Sequence, residues 1–182
     1  MHARAWFTLS AARRATAVGL TGILGLLARS AAPLAQTAPS LPPNFENSIV
    51  LSGLTSPTAV RFSPDGRIFV AEKSGLLKVF DGLQDTSPTV FADLRTSVHN
   101  YWDRGLLGLA VDPDFPVRPY VYVLYTRDAA IGGMAPRWGQ PGQTSDPCPG
   151  GTTTGCVVSG RLARLEAAGN VMTGAERVLL DG

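Results

Sequence analysis

The sequence predicts an all-β chain made of the N-terminal blades of a β-propeller, fewer than three of them, and three observations carry that reading. Short runs rich in β-branched and aromatic residues alternate with Gly, Pro and Asp turns, and residues 36–182 hold no amphipathic helix of usual length. A strand-turn-strand pattern recurs: Ala59-Val60-Arg61-Phe62-Ser63-Pro64-Asp65 resembles Leu109-Ala110-Val111-Asp112-Pro113-Asp114, with Pro64 and Pro113 49 residues apart. A unit of about 40 to 50 residues built from short antiparallel strands is the period of a propeller blade. Several runs are also apolar at odd and even positions alike, which suits inner strands that bury both faces between stacked blades.

Taken in order, the chain opens with residues that read as an export signal. Met1 to Ala15 carries three arginines and no acid, Ala17 to Ala28 is apolar, and Ala31 to Ala38 is rich in small residues. The apolar run falls short of the roughly 20 residues that a membrane-spanning helix needs, so removal is expected rather than anchoring. The expected division is a signal over 1–35, an extended lead-in over 36–46 and a propeller part over 47–182, in a periplasmic or secreted protein. Arg13-Arg14 keeps a twin-arginine route open beside the ordinary one. The formal charge of +2 is concentrated here: four arginines lie in the first 35 residues, and beyond them 12 basic residues face 14 acidic ones. That balance gives no electrostatic case for nucleic acid or an anionic membrane surface as partner. With 45% hydrophobic and 16% charged residues, the composition is that of a folded chain.

Ser48 to Leu51 is expected to begin the first strand. Thr58 to Ser63 and Arg67 to Glu72 read as a hairpin around Pro64-Asp65-Gly66. Lys73-Ser74-Gly75 turns the chain into Leu76 to Phe80, and Thr89 to Ala92 is a fourth short run. Leu106 to Val111, the turn Asp112-Pro113-Asp114 and Tyr120 to Tyr125 repeat the plan. Asp112 and Asp114 lack the ligand spacing of a calcium loop, which favours turn chemistry. Ala129 to Gly155 breaks the rhythm and reads as a surface insertion, followed by strands at Cys156 to Glu166 and Glu176 to Leu180 around an Ala167-to-Asn170 turn.

The crowd of functional-looking side chains precedes Leu106: His99, Asn100, Tyr101, Trp102, Asp103 and Arg104, on a loop that a strand would hold rigid. His99 is expected to be solvated or hydrogen-bonded, and Trp102 to be packed. Cys148 and Cys156 sit in one Gly/Thr-rich segment of an exported chain and are expected to close a disulfide. A metal reading of the two cysteines would want more ligands nearby, and a redox pair would usually show a two-residue spacer.

These residues resemble the N-terminal part of the soluble PQQ-dependent glucose/sorbosone dehydrogenase family from about Asn47 to Gly182. The resemblance rests on Leu54-Thr55-Ser56-Pro57 leading into Phe62-Ser63-Pro64-Asp65-Gly66, and above all on Arg104-Gly105-Leu106-Leu107-Gly108-Leu109-Ala110-Val111-Asp112-Pro113-Asp114-Phe115 before Pro119-Tyr120-Val121-Tyr122-Val123. It implies a six-bladed propeller holding PQQ and calcium, with a sugar or small alcohol as substrate, hydride transfer to the quinone, a histidine as base and a separate electron acceptor. Most positions for PQQ and calcium, and the catalytic histidine, belong to later segments of the family, so no catalytic residue transfers to this chain. Asp103 stands where the family carries a glutamine near the cofactor; with Arg104 it is the candidate cofactor-binding pair. The 147 residues from Gln36 to Gly182 suffice for fewer than three blades, so the expectation is an N-terminal fragment or truncated product. A non-catalytic extracellular propeller that binds a partner, and a calcium-dependent lactonase-type propeller, remain the alternative functions.

Overall fold

Turn chemistry decides the architecture. In a computed structural model that describes residues 41–182, the two Pro/Asp turns found in the sequence each join the first two strands of a four-stranded antiparallel sheet. The first sheet runs in chain order through β1 (Pro57–Phe62), β2 (Ile68–Glu72), β3 (Leu76–Phe80) and β4 (Thr89–Asp93). The second runs through β5 (Leu106–Val111), β6 (Tyr120–Arg127), β7 (Ser159–Ala168) and β8 (Val171–Asp181), with a one-turn helix α1 (Gly151–Thr154) in the insertion. Two successive up-and-down sheets of four strands are two propeller blades. The proposed signal at 1–35 lies outside the described residues, and residues Glu46–Gly182 form one unit that carries every strand among the described residues.

The expectation of strands buried on both faces is met most fully by β2, all five residues of which are buried. Phe69 and Ala71 join the main core with Leu109, Phe115, Val121 and Val123 of the second sheet. Ile68 and Val70 face the other way, beside Phe80, and are covered by Leu51 and Leu54 of the segment before β1. Phe69 meets Phe91 and Phe115 edge-on, with ring centroids 5.2 and 5.5 Å apart. Each such buried side chain contributes on the order of 1.5–3 kcal/mol relative to exposure, so Phe69 of β2 helps join the two sheets.

The glycines of the R-G-L-L-G signature have a steric reason. Gly105 has φ +153°, and a Cβ there would lie 2.5 Å from the Lys73 carbonyl oxygen; a Cβ at Gly108 would lie 2.7 Å from Leu124 Cβ. The close approach at Gly105 lets the Leu106 amide donate to the Lys73 carbonyl at 3.0 Å, and the Thr58 hydroxyl donates to the Leu106 carbonyl at 2.6 Å. Both bonds cross from one blade to the next.

Three strand boundaries differ from expectation. Ser48 to Leu51 is not a strand: Ile49 is 89% exposed, and the segment lies over the first sheet through Leu51 without extending its ladder. β7 starts at Ser159 rather than Cys156, because Cys156 is held back by the disulfide and its carbonyl is taken by Arg104. β8 is longer than expected, since Ala168 pairs with Val171 around a two-residue Gly169-Asn170 turn and the ladder starts at once. Among the described residues no helix is long and apolar enough to cross a membrane.

Candidate functional site

The loop from His99 to Gly105 leaves and rejoins the end of β6. The His99 amide donates to the Thr126 carbonyl at 2.8 Å, and the Thr126 amide donates to the Gly105 carbonyl at 3.0 Å. The residues between those two anchors bulge away from the strand. The Arg104 amide donates back to Tyr101 at 3.0 Å, closing a tight turn whose second residue, Trp102, takes φ +56°. That conformation is uncommon for a bulky side chain and throws the indole outward, so the expectation that Trp102 is packed is overturned: it is 73% exposed.

The insertion expected between β6 and β7 is welded to this loop. Asn100 and Asp146 bond reciprocally, the Asn100 amide donating to Asp146 Oδ2 at 2.7 Å and the Asp146 amide to the Asn100 carbonyl at 3.1 Å. Lys73 Nζ donates to Asn100 Oδ1 at 2.6 Å. Farther along, buried Asp128 accepts from the backbone amides of Arg137, Trp138 and Gly139 at 2.9–3.2 Å. Burial pushes the Asp146 carboxyl up, and the nearby Asp128 charge acts in the same direction against the Asn100 amide. Sequence reading missed both aspartates: their partners lie up to 46 residues away, and neither sits in a local motif.

Cys148 and Cys156 form a disulfide with Cα atoms 5.4 Å apart. Arg104 lies over it, Nη1 donating to the Cys156 carbonyl at 3.1 Å and lying 3.5 Å from Cys156 Sγ and 3.9 Å from Cys148 Sγ. On the other side His99 is wholly buried, its Nε2 3.6 Å from Cys156 Sγ and its Nδ1 without a hydrogen-bond partner. A solvated or conventionally bonded loop histidine was expected, but the anchoring of its own amide beneath the insertion draws the ring inward. Burial lowers the His99 pKa, with the Arg104 and Lys73 charges adding to it and Asp128 and the Asp146 backbone opposing, so the ring is held neutral.

Tyr101, Trp102, Asp103 and Arg104 together with Cys148 and Thr152 line a cleft of about 190 Å³. The candidate pair is therefore brought to one cavity, but with unequal freedom: Asp103 is exposed, whereas the Arg104 guanidinium is committed to the disulfide segment. Asp112 and Asp114 do form a turn, the Asp114 amide donating to Asp112 Oδ1 at 3.1 Å while Arg118 pairs with both carboxylates.

Residues 54–140 match the family model described as Glucose / Sorbosone dehydrogenase. Quinoprotein glucose dehydrogenase B of Acinetobacter calcoaceticus is 32% identical over 81 residues, which are 44% of this chain and 17% of that protein. The crystal structure of an oxidoreductase named as a glucose dehydrogenase from Thermus thermophilus superposes with a TM-score of 0.50 at 30% identity, covering 73% of this chain and 31% of that one. A further glucose dehydrogenase structure shares the fold at a TM-score of 0.50 and 18% identity, covering 74% of this chain and 32% of the other. The chain thus spans less than a third of the length of these relatives. The matched stretch, which includes R-G-L-L-G-L-A-V-D-P-D-F, makes the chain similar over part of its length to the glucose/sorbosone dehydrogenase family.

Proposed function

We propose that this chain is the N-terminal portion of an exported PQQ-dependent dehydrogenase that oxidises a sugar or small alcohol by hydride transfer to the quinone, with an electron acceptor completing the cycle. The observation that carries the reading is the family match over residues 54–140, with its signature run folded as the first strand of the second sheet. The similarity to a protein named quinoprotein glucose dehydrogenase B supports the quinone and sugar parts.

The residues present do not by themselves make a PQQ site. PQQ carries several carboxylates and calls for cations and N–H donors, whereas the cleft offers one guanidinium, already bonded to the Cys156 carbonyl, beside the like-charged Asp103. Its volume of about 190 Å³ is also below the roughly 300 Å³ at which pockets usually begin to enclose a ligand of that size. In this reading Asp103 and Arg104 border a larger site completed by residues of other blades, and calcium is bound there too. Asp103 orients whatever donor approaches it, and Arg104 fixes the wall.

The test compares the longer gene product with the 182-residue chain, each supplied with PQQ, calcium, an artificial electron acceptor and a panel of aldoses and small alcohols. Turnover by the longer product and none by the short chain is expected, because a general base must stand within about 2.6–3.2 Å of the substrate proton and buried His99 does not line the cleft. A longer product that binds PQQ yet oxidises none of the panel would overturn the reading.

A further inference from the structure

Three ligand-bearing side chains from two distant segments converge under the cleft. A ring nitrogen of His99, Cys148 Sγ and Cys156 Sγ all lie within 4.8 Å of one another, with His99 Nε2 3.6 Å from Cys156 Sγ, although His99 and Cys156 are 57 residues apart in the chain. We propose that when the disulfide is reduced, these three atoms bind one thiophilic divalent cation of the zinc class, and that the disulfide closes the site. The proposal is independent of the dehydrogenase reading.

Geometry supplies the first argument. With metal–sulfur bonds of about 2.3 Å and metal–nitrogen bonds of about 2.0–2.1 Å, a tetrahedral site has sulfur–nitrogen edges of about 3.5–3.6 Å. The Cys156–His99 edge is already 3.6 Å. Once the bond between them is broken, the two sulfurs need only move to about 3.8 Å apart. Gly150, Gly151 and Gly155 in the intervening segment give the backbone room to follow.

The second argument is His99 itself. A fully buried imidazole ordinarily satisfies both nitrogens, yet no hydrogen bond of good geometry reaches Nδ1, with the Asp146 backbone near the ring, and Nε2 faces a sulfur, a weak acceptor. The third is Arg104, whose Nη1 lies within 3.5 and 3.9 Å of the two sulfurs. As a hydrogen-bond donor outside the coordination sphere it stabilises thiolates, as groups around metal-bound sulfur do. Three protein ligands leave the fourth position to water, and Cys148 lines the cleft from which that water would come.

The chemistry balances with a phosphine as reductant. The phosphine takes an oxygen from water and becomes its oxide, its electron pair breaks the sulfur–sulfur bond, and the two water protons end on Cys148 and Cys156. The cation then displaces those protons to solvent as two metal–sulfur bonds and one bond to His99 Nε2 form.

The experiment titrates Co²⁺ into the full chain before and after reduction by a non-chelating phosphine, with Zn²⁺ as competitor. The reduced chain is expected to take up one equivalent with intense visible ligand-field bands and near-ultraviolet thiolate-to-cobalt charge transfer, and the oxidised chain none of this. His99→Gln should weaken binding at least tenfold, and Cys148→Ser with Cys156→Ser should abolish it. Because His99→Gln removes a buried side chain and could unfold the loop, X-ray absorption on the reduced, zinc-loaded wild type decides separately: two sulfurs and an imidazole in the first shell are expected. Equal binding by the oxidised chain, or a shell without sulfur or without imidazole, would overturn the proposal.

Discussion

Lys78 Nζ lies 2.6 Å from Glu72 Oε1, and the Glu72 carboxylate is only 1% exposed. The same carboxylate oxygen accepts from the Thr55 amide at 2.7 Å, and Lys78 Nζ also donates to the Gly53 carbonyl at 2.7 Å. Two side chains on neighbouring strands of the first sheet thereby tie down the segment before β1 that covers Ile68 and Val70. Removing one partner leaves the other charge buried, so Lys78→Met is expected to cost about 3–5 kcal/mol in urea unfolding. Combining it with Glu72→Gln should recover part of that loss, and a double variant that costs the sum of the two singles or more would show that the pair is not coupled as described.

Two glycines with positive φ should respond very differently to alanine. At Gly66, φ is +91° and nothing lies within 4 Å of an added Cβ, so Gly66→Ala carries backbone strain alone, about 1–2 kcal/mol. At Gly105 the same change also drives Cβ against the Lys73 carbonyl, and a loss above about 3 kcal/mol is expected. Thermal melts of the two variants side by side provide the check; equal losses would mean that the blade contact at Gly105 is slack.

Acid should weaken the second sheet through Asp112. Although burial pushes its carboxyl up, the Asp114 amide, the Arg118 guanidinium and the Tyr122 hydroxyl together hold it below the ordinary carboxylate value of 3.8. A depressed folded-state pKa means that the unfolded chain binds the proton first as pH falls. The stabilisation is therefore present in full above the ordinary value and lost as pH drops through the folded one. Asp112→Asn should flatten the acid limb of the stability curve, and an acid limb left unchanged by the substitution would remove Asp112 from the account.

The Arg104 contact to Cys156 separates the two candidate site residues. Arg104→Ala should destabilise by about 1.5–3 kcal/mol, the usual worth of a hydrogen bond to a charged group, and should speed thiol labelling of the Cys148–Cys156 segment under mild reductant. Asp103→Ala should stay within about 0.5 kcal/mol of the parent, as exposed loop positions do. If the proposed longer PQQ-binding protein is made, Asp103→Ala is expected to change its PQQ affinity instead. A large stability loss at Asp103 with unchanged cofactor binding would assign it a structural role.

Breaking the disulfide gives the plainest measure of that segment. The chain-entropy relation for a loop of this length predicts a cost of about 2.5 kcal/mol for Cys148→Ser with Cys156→Ser. Equilibrium unfolding checks it, and no measurable loss would mean that Arg104 and Asp146 hold the segment unaided.

The parts of this fold that were legible in the sequence are those with local signals. Pro64-Asp65-Gly66 and Asp112-Pro113-Asp114 mark their turns by residue type, and the runs between them announce strands by composition, so the hairpins and the two-blade order could be read directly. Ser48 to Leu51 misled because apolar residues that cover a sheet and apolar residues that extend one look alike over four positions. The candidate site was legible only as a loop. Asp103 and Arg104 were found by family resemblance, and the structure brings them to one cleft. The inward turn of His99 and the carboxylate of Asp146 depend on contacts between distant segments, which no short window of sequence contains. The turn at Trp102 and the Asp128 carboxylate are local contacts, three and 9–11 residues apart, but carry no recognisable residue signal.

The Asp128 nest gives the insertion a property that its composition conceals. A stretch rich in Gly, Pro and Thr and outside any sheet would normally surrender its amide hydrogens to solvent quickly, whereas three successive amides here, at Arg137, Trp138 and Gly139, are spent on one buried carboxylate. In a deuterium-labelling experiment those three should retain their protons alongside the sheet ladders, so that the slowest-exchanging map of the molecule includes an island with no strand beneath it.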